Sequence, residues 1–219
     1  MKNVIAIDGP GGAGKSTIAK LLAQRLNYLH LDTGAMYRAV TLAALNKNIN
    51  FDDPEALVNL AEEINIEFNS EGEIFLDGDN VSHEIRTAEV NKHVSQTAAV
   101  KGVREVLVEK QKQLAEKNRV VMDGRDITTV VLPDAEYKFF LTASLNERAK
   151  RRYQEVKSKK GDADFEEIKE SIARRDRLDS QREHSPLKKA DDAVLIDTTE
   201  LSINQVISKM IKIIEGEDK

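Results

Sequence analysis

Val4-Ile-Ala-Ile-Asp-Gly-Pro-Gly-Gly-Ala-Gly-Lys-Ser-Thr17 is the stretch whose reading decides the fold of this chain. Val4 to Ile7 is a short unbroken apolar run that ends on an acid, the pattern of a strand buried on both faces in a parallel sheet. From Lys15 to Leu26 the apolar residues fall at 18, 19, 22, 23 and 26, which is helical spacing. Between the two, Gly9, Gly14, Lys15 and Ser16 fit the pattern G-x-x-x-x-G-K-[ST]. In such a loop the glycines let the backbone curl so that several N–H groups point inward, and the helix N-terminus behind them adds positive partial charge. A nucleoside triphosphate, read as ATP, is therefore expected on Gly9, Pro10, Gly11, Gly12, Ala13, Gly14, Lys15, Ser16 and Thr17. Lys15 would reach its β- and γ-phosphates, and the Ser16 hydroxyl would ligate Mg²⁺.

Working outward, Tyr28 to Leu31 reads as a second strand running into Asp32-Thr-Gly-Ala, with a helix from about 36 to 45 and another after Pro54, a residue suited to a first helical turn. The residues from about 64 to 82 change character: Ile64 to Phe68 alternates, Asn69-Ser-Glu-Gly72 is a turn, and Glu73 to Asp77 resumes as a strand. Helical patterns return through about Lys117. Further strands are expected at Arg119 to Asp123, Tyr137 to Leu141 and Ala193 to Asp197. Two charged helices, about 145 to 157 and 165 to 178, flank a polar break at Ser158 to Asp164 that reads as a hinge. A last helix runs from Ser202 to about 214. Strands alternating with helices imply an α/β fold with a parallel sheet covered on both faces.

The composition agrees with a single α/β unit. The 219 residues suffice for one α/β domain with a small insertion, and the 40% apolar and 32% charged content is that of a globular protein. No run of about 18 apolar residues could span a membrane. The N-terminus offers four consecutive apolar residues before an acid, too few for a signal peptide. Zero cysteines exclude disulfides and thiolate metal sites, and a cytoplasmic address follows as the simplest expectation. A net charge of −5 argues against nucleic acid as a partner while leaving room for local basic pockets.

A phosphate loop alone leaves a GTPase switch, an ATP-driven motor and a kinase open. Neither Asn46-Lys47 nor Asn91-Lys92 continues into the guanine-reading Asn-Lys-x-Asp, and little chain is left over for a motor's partner. A small-molecule kinase is favoured. Such an enzyme must hold a second anion beside the first, and arginines relieve that repulsion. Three groups offer them: Asp32-Thr-Gly-Ala-Met-Tyr-Arg38, Asp123-Gly-Arg-Asp126, and Arg174-Arg-Asp-Arg-Leu-Asp-Ser-Gln-Arg182, where Arg175, Asp179 and Arg182 recur at helical spacing. Singly, each also suits a turn or a solvated, salt-bridged helix face. The first two follow strands, at the edge where open α/β sheets bind ligands.

Together with Ile7 to Thr17, Leu31 to Arg38, Val121 to Ala135 and Arg175 through Leu187, these groups closely resemble the bacterial cytidylate kinases, over essentially the whole chain. That resemblance implies a nucleoside-monophosphate-kinase fold: a five-stranded parallel core with helices on both faces, an insertion at about 62–97 that binds the acceptor nucleotide, and a helical lid at about 148–164, with the core made of about 1–61, 98–147 and 165–219. It implies transfer of the ATP γ-phosphoryl group to CMP or dCMP; a monomer is expected. The acceptor site would comprise Thr33, Tyr37, Arg38, Ser95, Arg104, Arg125, Asp126, Arg175, Asp179 and Arg182. Of these, Arg38, Arg125 and Arg182 would grip the phosphate, Arg175 and Asp179 the ribose, and Ser95, Arg104 and Asp126 the cytosine. Lys15, Arg125, Asp126 and the lid arginines Arg148 and Arg152, with Arg151 beside them, would act in transfer. Asp123 would join Ser16 at the metal, through water. Other acceptors on the same scaffold (UMP, AMP or a small metabolite), and a nucleotide-dependent binding protein, are the alternatives. Two positions depart from the pattern: Thr128 stands where glycine is expected, and Lys101 where a proline is. His30, His83, His93 and His184 lack metal-ligand spacing and are read as surface or structural.

Overall fold

The computed structural model describes residues 3–161 and 163–216, without the side chains of Lys159 and Lys160. Asp162 of the expected hinge, and Met1 and Lys2 at the head of the N-terminal run, lie outside the described residues. The chain begins with β1 (Val4–Asp8), α1 (Lys15–Leu26), β2 (Leu29–Asp32), α2 (Thr33–Asn46) and α3 (Pro54–Glu63). The short strands β3 (Ile66–Phe68), β4 (Ile74–Leu76) and β5 (Asp79–Asn80) follow, then α4 (Ala88–Thr97) and α5 (Lys101–Lys117). The second half holds β6 (Val120–Gly124), β7 (Tyr137–Thr142), α6 (Leu145–Lys160), α7 (Phe165–Ser180), β8 (Val194–Asp197) and α8 (Ile203–Glu215).

The main sheet has five strands in the order β2-β6-β1-β7-β8, every neighbouring pair parallel. All five residues of β1 are buried. Their alternation splits the core: Ile5 and Ile7 pack with α1 and α8, whereas Val4 and Ala6 pack with α5 and the turn after β6. Leu22 and Met210 are wholly inaccessible on the first face. Truncating either to alanine would cost about 2–5 kcal/mol. The helix α8 is held at its start by a reciprocal capping box between Ser202 and Gln205.

The small antiparallel sheet β3-β4-β5 departs from the expected strand pair by one short extra strand, made when Gly78 at φ +93° turns the chain back on β4. It packs on α2, α3 and α5 through Ile66, Ile74 and Leu76. A further feature without a sequence signal is the single turn of π-helix at Ile127–Val131, directly after β6. Lys101, the second departure from the family pattern, is the first residue of α5, an exposed first-turn position where proline would be tolerated but is not needed.

Candidate active site

Gly9 leaves β1 at φ +146°, and a β-carbon there would sit 1.9 Å from the Leu141 carbonyl oxygen on the neighbouring strand, so only glycine passes. Gly14 caps α1 in the left-handed conformation at φ +87°. Lys15 opens that helix, is 6% exposed, and donates from Nζ to the Pro10 carbonyl at 2.9 Å, across the mouth of the loop. Loss of water, reinforced by repulsion from Arg125, lowers its pKa to about 7. Next to it the Ser16 hydroxyl donates to Asp123 Oδ2 at 2.7 Å. The other oxygen of Asp123 lies 2.8 Å from His30 Nε2. Burial works to raise the Asp123 pKa, but His30, Lys15 and Ser16 outweigh it and the net direction is down.

Thr33, which begins α2 at the end of β2, donates its hydroxyl to the Asp123 carbonyl at 2.8 Å. A β-carbon on Gly124 would lie 2.5 Å from that hydroxyl oxygen and 2.6 Å from the Ile127 side chain, so any larger residue there would have to displace Thr33 and Ile127. Arg125 then points two ways. Its Nη2 is 3.6 Å from where a β-carbon on Gly11 would be, and its Nε donates to Asp179 Oδ2 on α7 at 2.8 Å. Asp179 also accepts from Arg182 Nη2 at 3.0 Å. Arg182 lies two residues past the end of α7 and folds back, rather than continuing the helical face that its spacing suggested. Burial would raise the Asp179 pKa, yet Arg125, Arg182 and Arg175 hold it below the usual carboxylate range. Arg175 faces these cations with its buried Nε unpartnered, and burial together with the Arg125 charge lowers its pKa to about 10. A guanidinium with a free buried N–H is a donor available to a polar oxygen of a bound molecule.

On the other side Asp126 accepts from Arg104 Nη2, and both side chains are buried. The Arg104 guanidinium lies over the Tyr37 ring, 5.3 Å from its centre. Arg38 is bonded to the Asn91 side chain at 2.7 Å and to the Ile85 carbonyl at 3.2 Å, tying α2 to α4 and the turn before it. Ser95 is exposed on α4 with no side-chain hydrogen bond. Arg148 is 7% exposed and lies against the phosphate loop, donating to Gly11 O at 3.0 Å, Ala143 O at 3.0 Å and Asp176 Oδ2 at 2.6 Å. Arg151 is likewise anchored, on Thr198. Arg152, by contrast, is exposed and pairs with Glu155.

Four side chains at the site were given no role there by the sequence: His30 behind Asp123, Asp176 behind Arg148, and the buried pair Asp8 and Thr128. An acid closing an all-apolar strand, as Asp8 does, is the one hint that donors must converge on it.

A parallel five-stranded sheet, a phosphate loop and a set of arginines at the same edge define a P-loop kinase. Solved structures with this fold include an uncharacterised protein from Eubacterium ventriosum (TM-score 0.56, 15% identical, 97% of this chain and 98% of that one). Another is the shikimate kinase of Bacteroides thetaiotaomicron (TM-score 0.51, 14% identical, 97% and 98% covered). At such identities the likeness concerns the fold. Within that class the chain belongs to the cytidylate kinase family, whose model matches residues 5–216. It is similar to the cytidylate kinase of Bacillus velezensis, 55% identical over 218 residues that cover 98% of this chain and 97% of the relative. The cytidylate kinase of Bacillus cereus is 53% identical over 216 residues, covering 97% and 96%.

Proposed function

We infer that the protein transfers the γ-phosphoryl group of ATP to the phosphate of CMP or dCMP, giving CDP or dCDP. The observation that carries this reading is the position of Arg125, which lies beside the donor loop at Gly11 while its Nε holds Asp179 of the acceptor group. One guanidinium thus lies between the donor loop, whose Lys15 its charge perturbs, and the acceptor group. The names of the relatives at 53–55% identity supply the acceptor.

In this reading the backbone of Gly9 to Thr17 and Lys15 hold the ATP phosphates. Arg38, Arg125 and Arg182 take the acceptor phosphate, and Arg175 and Asp179 the sugar hydroxyls. Asp126, with Arg104 and Ser95, reads cytosine: a carboxylate accepts from its exocyclic amino group and repels the carbonyl that uracil has there. The acceptor phosphate is already anionic near neutral pH, so transfer is direct and in line, without a phosphoenzyme, and rests on positioning and charge. Ser16 and Asp123 present two oxygens 2.7 Å apart beside the loop, a donor set suited to Mg²⁺, which takes few protein oxygens and completes its shell with phosphates. When bound there it would neutralise charge on the β- and γ-phosphates. We further propose a three-part organisation: a core, an acceptor-binding insertion at about 62–97 and a lid at about 148–164. The lid would carry Arg152 towards the transferring group and exclude water, with Arg148 and Arg151 holding the base of α6 to the core.

The reading is tested by incubating the protein with Mg-ATP and CMP, dCMP, UMP or AMP and following ADP. ADP formation dependent on CMP or dCMP is expected; hydrolysis independent of any acceptor would refute it.

A further inference from the structure

Asp8 and Thr128 have no part in the scheme above, yet they join its two halves. Asp8 ends β1, one residue before the phosphate loop opens at Gly9, and its side chain is entirely buried. Three donors converge on it: the Ile127 N–H at 2.9 Å, the Thr128 N–H at 2.7 Å and the Thr128 hydroxyl at 2.6 Å. Thr128 is 1% exposed, so no water competes for that hydroxyl. Asp126 stands two residues earlier, and its carbonyl accepts from the Val130 and Val131 N–H groups at 2.9 and 3.2 Å, closing the π-turn. The carboxylate that terminates the strand feeding the donor loop therefore also holds the turn that presents Asp126.

The two sides are not equally tied down. The donor loop is fixed independently by the contact of Gly9 with Leu141 and by the bond from Arg148 to the Gly11 carbonyl. The π-turn departs from regular backbone, and its first two N–H groups both depend on Asp8. Weakening the link would leave slack on the acceptor side. A buried carboxylate that loses one of three donors also pulls harder on the remaining two, so the turn would settle elsewhere.

We propose that the Asp8–Thr128 pair is a strut setting the position of Asp126 relative to the phosphate loop, which makes Thr128 a specificity-positioning residue for the pyrimidine of the acceptor. This rests on the assignment of Asp126 as the base contact. The strut acts on binding geometry alone, and no bond is made or broken in it.

Thr128→Val keeps the shape and removes the hydroxyl; Thr128→Ser restores the hydroxyl. In Thr128→Val, kcat/KM for CMP and the preference for CMP over UMP should each fall about tenfold, while KM for ATP stays within about a factor of two. Thr128→Ser should return the preference to within about a factor of two of the parent. An unchanged CMP preference in Thr128→Val, or a Thr128→Ser protein that behaves like it, would overturn the proposal. Amide hydrogen exchange on the ligand-free proteins gives a readout that does not depend on the acceptor. Faster exchange at Ile127 and Thr128 in the valine variant supports the strut, and equal exchange overturns it. If the parent itself shows no preference for CMP, the reading of Asp126 fails, and exchange still decides the strut.

Discussion

Lys15 makes the pH dependence of ATP binding a quantitative test of the donor site. In the free protein its ammonium is buried, bonded only to the Pro10 carbonyl and repelled by Arg125, with a pKa of about 7 against an ordinary value of 10.5. Bound triphosphate would surround the same group with anionic oxygens and keep it charged. Above pH 7, binding must therefore take up a proton, and the affinity falls by the fraction of Lys15 already neutral. Between pH 7 and pH 9 that fraction changes the dissociation constant by about 50-fold, or about 2.3 kcal/mol. Calorimetric titration of Mg-ATP in two buffers of different ionisation enthalpy should give proton uptake of about one half at pH 7, approaching one at pH 9. Arg125→Met, which removes the repelling neighbour, should move the midpoint upward. Stability runs the opposite way. Between about 7 and 10.5 the unfolded chain holds the Lys15 proton and the folded one does not, so this group's contribution stabilises the free protein as pH rises through that window. An ATP affinity that is flat from pH 7 to 9, with no proton uptake, would refute the account of Lys15.

Three other substitutions test separate parts. Asp126→Asn, whose amide can donate to a uracil carbonyl, should lower the CMP-to-UMP ratio of kcat/KM by about tenfold or more, and an unchanged ratio would remove Asp126 from base reading. Gly9→Ala must place a β-carbon 1.9 Å from the Leu141 carbonyl, so a thermal melt should show a large loss of stability or no folded protein at all. Arg148→Met keeps most of the packing but loses the bonds to Gly11, Ala143 and Asp176; KM for ATP should rise about tenfold with a smaller effect on KM for CMP, measured by steady-state kinetics.

The expected strands and helices are found within a few residues of their places because each is written in contiguous sequence: unbroken apolar runs at β1 and β6, helical spacing in α1 and α8. The π-turn was not legible, since Ile127 to Val131 reads as an ordinary apolar stretch, and the Asp8 carboxyl that accepts from the Ile127 and Thr128 N–H groups comes from a distant strand. Arg148 shows the same limit at a single residue. Its charge and position suggest a role over the phosphates, but its bonds to two backbone carbonyls and Asp176 are made across the fold and are not written in its own stretch of chain.

The phosphate-loop pattern, the parallel α/β class and the family pattern can be read from the sequence without the fold. These follow from local chemistry: glycines at positive φ, buried strands, a lysine and serine at a helix N-terminus. The tertiary structure alone decided the strand order that seats β1 between β6 and β7, and with it the pairings of Asp8 with Thr128, His30 with Asp123, and Arg125 with Asp179, which lie 120, 93 and 54 positions apart. A buried carboxylate must find its donors wherever the fold brings them, and that is a property of the packed sheet edge rather than of any stretch of chain.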